Sequence, residues 1–106
     1  MDSERVFCYR ALGFGRADQN PLPGFDEKAY VPAGRFDSRP LADIVQEFES
    51  VRAASLALFR GLDDQALLRR GTANGNTVSV RALAWILAGH ELHHRGLLVE
   101  RYGVGK

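Results

Sequence analysis

The chain predicts an all-α fold. Apolar residues recur at helical spacing in three stretches, 3–17, 41–62 and about 80–102. No stretch alternates polar and apolar residues as a half-buried strand would. Proline, glycine and asparagine gather between the periodic stretches, where they break helices. At 106 residues the chain is expected to form a single helical domain, 1–106.

The first element, SERVFCYRALGFGRA at 3–17, reads as a helix. Val6, Tyr9, Leu12 or Gly13, and Arg16 follow helical spacing, with Phe7 and Phe14 one heptad apart. Gly13 and Gly15 weaken its end by roughly 1 kcal/mol each relative to alanine. Residues 18–39 hold Pro21, Pro23 and Pro32, which remove donors and fix φ, so no long helix fits there. The segment reads as a long crossover loop with one turn of helix at 26–30, packed down by Phe25, Tyr30 and Phe36.

Ser38 and Pro40 look like the N-cap region of the next helix. Its apolar stripe is Leu41, Ile44, Val45, Phe48, Val51, Ser55, Leu58 and Phe59, and Gly61 ends it. Asp63 or Asp64 is placed to cap a short helix through Leu68. GTANGNTV reads as loop, and Ser79 as the N-cap of the last helix, closed by Gly103.

Composition narrows the function classes. A net charge of +1 gives no basic field for nucleic acid. The N-terminus, MDSERVF, is acidic and lacks the apolar run of a signal peptide. No apolar run approaches a membrane span. Cys8 is the single cysteine and cannot close an internal disulfide, which fits a reducing compartment. A soluble cytoplasmic protein is expected.

The chemistry concentrates in GHELHH, residues 89–94, which holds all three histidines. At roughly 100° per residue, Leu83, Leu87, His90, His94, Leu97 and Arg101 fall in a band about 80° wide. Ile86 and Leu98 flank it. His93 stands about 60° from His90, and Glu91 about 100° away on the other side. Two imidazoles on an apolar stripe leave polar nitrogens that cost free energy unless partnered. Either one metal ion takes a nitrogen from each ring at i, i+4, or the core is wet there, or carboxylates or tyrosines bond to the rings.

The letters also spell H-E-x-x-H, the zinc-protease signature. That reading needs a third ligand downstream, where Glu100 is the sole acidic side chain. The extended pattern wants glycine at 97, which is Leu97; Gly96 is one residue early. A protease is therefore not expected.

GTANGNTVSVRALAWILAGHELHHRGLLVERY resembles the C-terminal part of DinB-like proteins, a family that also contains YfiT-like hydrolases and thiol-dependent S-transferases. ERVFCYRAL and PLPGFDEKAY are similar to the second helix and following loop of one subgroup. The resemblance implies an up-and-down four-helix bundle with a three-histidine metal site. It implies that two of its ligands are His90 and His94, holding Zn²⁺ or Ni²⁺. Some relatives end the histidine segment in R-G-Q; here it reads Arg95, Gly96, Leu97.

The same resemblance places the family's first helix before this chain's first one. The third histidine would fall about one helical turn ahead of Asp2. Either the natural chain is short or its start lies further upstream. Asp2 is a poor substitute ligand at a frayed terminus. The expected form is thus a bundle truncated to about three main helices with a long crossover loop. Its open groove calls for a filler, and a homo-oligomer, most simply a dimer, supplies one.

Two functional readings follow. One is a metal-dependent transferase or hydrolase with a small-molecule substrate. The other is a non-catalytic helical protein with a vestigial metal site that self-associates. Elsewhere, Cys8 reads as a buried inert thiol and Glu4 and Arg5 as solvent-facing. Trp85 is expected against the 18–39 loop or a partner chain, and Arg69, Arg70 and Arg81 read as ordinary surface.

Overall fold

The computed structural model describes residues 1–89. In order, these form α1 (Asp2–Gly15), α2 (Glu27–Gly34), a 3₁₀ turn (Phe36–Ser38), α3 (Leu41–Arg60) and α4 (Asp64–Leu68). A hairpin of β1 (Arg70–Ala73) and β2 (Asn76–Ser79) follows. Residues 80–89 are helical and are called α5. The described part is mostly helical, as expected. The hairpin corrects the all-α expectation.

The departure is local to GTANGNTV, expected as loop. β1 and β2 pair antiparallel, with Gly71 opposite Val78 and Ala73 opposite Asn76. Asn74 and Gly75 link them with φ of 53° and 76°. Positive φ at both central residues matches the turn that suits a twisted two-residue hairpin, and Asn-Gly tolerates it best. The strands are four residues each and polar. Their side chains carry little alternation, so the turn was the signal to read.

The hairpin is held on two sides. Leu22 N–H donates to Thr72 O at 2.8 Å, and Asn74 N–H donates to Leu22 O at 3.0 Å. Leu22 thus forms a parallel bridge with Ala73 and ties the crossover segment to β1. On the other side Phe14 lies against Gly71 so closely that an added Cβ would overlap its ring.

The core joins Ala11, Phe14, Leu62, Ala66, Ala73, Val80 and Leu83. It sits where the end of α1, the α3–α4 turn, the hairpin and the start of α5 meet. Phe7, Leu58, Phe59 and Val78 pack around it. Gly61 caps α3, and Asp63 caps α4 by accepting from Ala66 N–H at 2.8 Å. Ser38 does not cap α3. Its hydroxyl donates to Arg35 O at 2.7 Å, and Pro40 stands at the N-cap.

Within 18–39, α2 is longer than one turn because Asp26 accepts from both Lys28 and Ala29 N–H. Pro32 lies inside α2, in a helix of eight residues. On α3 the expected stripe splits. Val51 and Ser55 are buried, whereas Leu41, Val45 and Phe48 are exposed. The first half of α3 thus presents apolar side chains that its own described neighbours do not cover. Among the described residues no helix is long and apolar enough to cross a membrane.

Candidate functional site

The histidine pair that the sequence singles out, His90 and His94, lies outside the described residues, as does His93. The structure does describe the start of the helix that leads to them. Ser79 Oγ accepts from Ala82 N–H at 3.0 Å and so caps α5. Val80 and Leu83 are almost wholly buried against Ala11 and Phe14. Leu87 is half-buried, while Trp85, Ile86, Ala88 and Gly89 are exposed. The inner face of α5 is therefore the Leu83–Leu87 face.

Trp85 is 70% exposed, which corrects the expectation that it packs against the 18–39 segment. Arg70 and Arg81 are exposed, as an ordinary surface requires. Arg69 is half-buried and its guanidinium donates to Gly15 O, tying the α4–β1 junction to the end of α1.

Across from the core end, α1 and α3 share a buried polar chain. Glu4 is buried, against the expectation that it faces solvent. Arg52 Nε and Nη2 donate to its two oxygens at 3.1 and 2.8 Å. Ser55 Oγ donates to Glu4 Oε2 at 2.5 Å, and Cys8 Sγ donates to Ser55 Oγ at 3.2 Å. Burial pushes the Glu4 carboxyl up, but the hydrogen bonds from Arg52 and Ser55, with the Arg52 charge, outweigh it and hold it below its ordinary value. Arg5, the next residue, does face solvent and pairs with Glu47 at 2.6 Å.

Cys8 opens onto a cavity of about 390 Å³ between α1 and α3, lined also by Tyr9, Leu12, Val51, Ser55 and Leu58. Burial pushes its thiol up, and Glu4 adds to that against the Ser55 bond. A thiol so raised and hydrogen-bonded to the Ser55 hydroxyl is a poor nucleophile. The inert-thiol expectation thus fits, although Cys8 is half-buried rather than sealed.

The remaining charge buried on α1 was not foreseen. Arg10 is 8% exposed. Its Cζ lies 5.7 Å from the ring centroids of both Phe7 and Phe25, and Nη2 donates to Pro23 O at 3.0 Å. Phe25 is in turn set edge-on against Tyr30, centroids 5.3 Å apart. Each ring contact contributes about 0.5–2 kcal/mol. Desolvating a full charge costs several kcal/mol, so rings and one carbonyl leave it under-compensated. Helical periodicity does not flag such a residue, because Arg10 is a charge at helical spacing from Phe7 and Phe14, where an apolar side chain is expected.

Among the described residues no group of three or more His, Cys, Asp or Glu is arranged to hold a metal ion. Any ion would therefore depend on donors beyond them.

What the described part defines is a small helical domain, its last helix anchored by a hairpin and directed by Leu83. The model of the DinB superfamily matches residues 1–98, and the chain belongs to that superfamily. No curated protein and no solved structure is matched by the chain.

Proposed function

We propose that the chain is a metal-binding helical protein of the DinB type, in which His90 and His94 hold a divalent ion, Zn²⁺ or Ni²⁺, within a four-helix-bundle architecture. The observation that carries this reading is the direction of α5. Leu83 is buried and Leu87 half-buried, and these are the residues that helical spacing in the sequence groups with His90 and His94. The superfamily match extends across both histidines, which adds support.

When bound, such an ion supplies Lewis acidity and lowers the pKa of a coordinated water or thiol. That chemistry suits a transferase or hydrolase acting on a small molecule. In the described part, Ser79 caps α5, and Val80 and Leu83 pack it against α1. Metal analysis of protein purified without a histidine tag tests the reading. Near-stoichiometric zinc or nickel supports it. Metal-free protein that also takes up none on dialysis against either ion contradicts it.

A second reading is a non-catalytic, self-associating scaffold. Leu41, Val45 and Phe48 favour it, being 75%, 47% and 42% exposed on one side of α3. Light scattering separates the two, because only this reading requires dimers in the presence of a chelator.

A further inference from the structure

We propose that Arg10 is the anchor of a second binding site, one that takes a small organic carboxylate with an apolar body. This site is independent of the metal reading.

The argument begins with a charge that has no described counterion. A guanidinium keeps its proton at any ordinary pH, so burial cannot be relieved by neutralisation. Arg10 is nevertheless nine-tenths covered. The ion pairs among the described residues belong to Arg5, Arg39 and Arg52. Three acids of the 18–39 segment have other partners. Asp18 accepts from Asn20, Asp26 caps α2, and Glu27 accepts from Ser3 at 2.9 Å.

One guanidinium nitrogen donates to Pro23 O. The other N–H groups find no acceptor among the described residues. The cation is therefore held in place by Pro23 and the two rings, with N–H groups that no described acceptor takes. A carboxylate is the ligand that matches such N–H groups, through paired charge-assisted hydrogen bonds. The surroundings select its body. Phe7 and Phe25 flank the guanidinium, and Tyr30 braces Phe25, so an aromatic or alkyl group meets apolar surface.

The test uses the full chain, isotope-labelled and kept with a chelator so that a bound metal plays no part. Benzoate is titrated while the Arg10 Nε–H resonance is followed, with inorganic phosphate in a parallel titration. The resonance is expected to move and saturate with benzoate, at lower concentration than with phosphate. Arg10→Lys should weaken benzoate binding by about tenfold or more, since a point charge replaces a fork. Arg10→Met should remove it. An Arg10 resonance that stays put in the wild-type protein overturns the proposal, as does tighter binding of phosphate than of benzoate. Undiminished benzoate binding by folded Arg10→Met protein would do the same. The wild-type titration decides the matter even where a variant folds poorly.

Discussion

Ser55 on α3 donates its hydroxyl to the buried carboxylate of Glu4 on α1 at 2.5 Å, and Arg52 grips the same carboxylate from one turn earlier on α3. This contact fixes how the two helices cross at the end remote from the apolar core. Removing one partner should therefore cost more than a surface pair would. Glu4 is buried, whereas Arg52 can turn toward water. Arg52→Met, which strands the carboxylate, should destabilise by about 2 kcal/mol or more, and Glu4→Gln by less. Urea melts of the two variants check the order. A larger loss in Glu4→Gln would show that the guanidinium, not the carboxylate, is the costly partner.

The same carboxylate makes stability depend on pH with a definite sign. Its folded pKa lies below the ordinary value of 4.5. The stabilisation it supplies is present above that value and is lost as the pH falls through the folded pKa. Melting temperature should thus drop on acidification below about pH 4.5, and drop less steeply in Glu4→Gln. Parallel curves for wild type and variant between pH 5 and 2.5 would remove Glu4 from the account.

Cys8 should alkylate slowly. Its thiol is raised by burial, so little thiolate exists near neutrality. Iodoacetamide labelling is expected to lag behind a free-thiol peptide at pH 7.5, with the rate rising at higher pH than in the peptide. Labelling as fast as the peptide's would mean that the α1–α3 contact opens readily.

Gly71 is required by Phe14. A Cβ at this position would overlap the ring, and the ring belongs to the core. Gly71→Ala should cost about 2 kcal/mol or more. Gly75 has nothing near it but a positive φ, so Gly75→Ala should cost less, through backbone strain alone. Denaturant melts giving equal losses would refute the packing argument.

Much of the fold was legible because its signals were local. Gly61 ends α3 where the sequence placed it, and Asp63, one of the two candidates with Asp64, caps α4. Ser79 likewise caps α5. The face of α1 was legible only in part: Phe14 lies in the core with Phe7 packed on it, one heptad apart. Tyr9 and Arg16, on the expected stripe, are exposed, while Glu4 and Arg10 are buried. Hydrophobic periodicity cannot find Glu4, whose partners Arg52 and Ser55 lie on α3, or Arg10, which is held by the Pro23 carbonyl and two aromatic rings with no described counterion. The hairpin was missed for the opposite reason. Its Asn74–Gly75 turn is a strong local signal, but the flanking strands are too short and polar to show a period.

For the candidate site, the sequence and the described structure meet on α5. The sequence set Leu83 and Leu87 on one stripe with His90 and His94, and the structure buries Leu83 and half-buries Leu87. His93 stands about 60° off that stripe.

The most direct measurement is a calorimetric titration of Zn²⁺ and of Ni²⁺ into tag-free wild type, His90→Ala, His94→Ala and His93→Ala. The account predicts binding by the wild type, its loss in His90→Ala and in His94→Ala, and little change in His93→Ala. No binding by the wild type, or equal loss in all three variants, would contradict it.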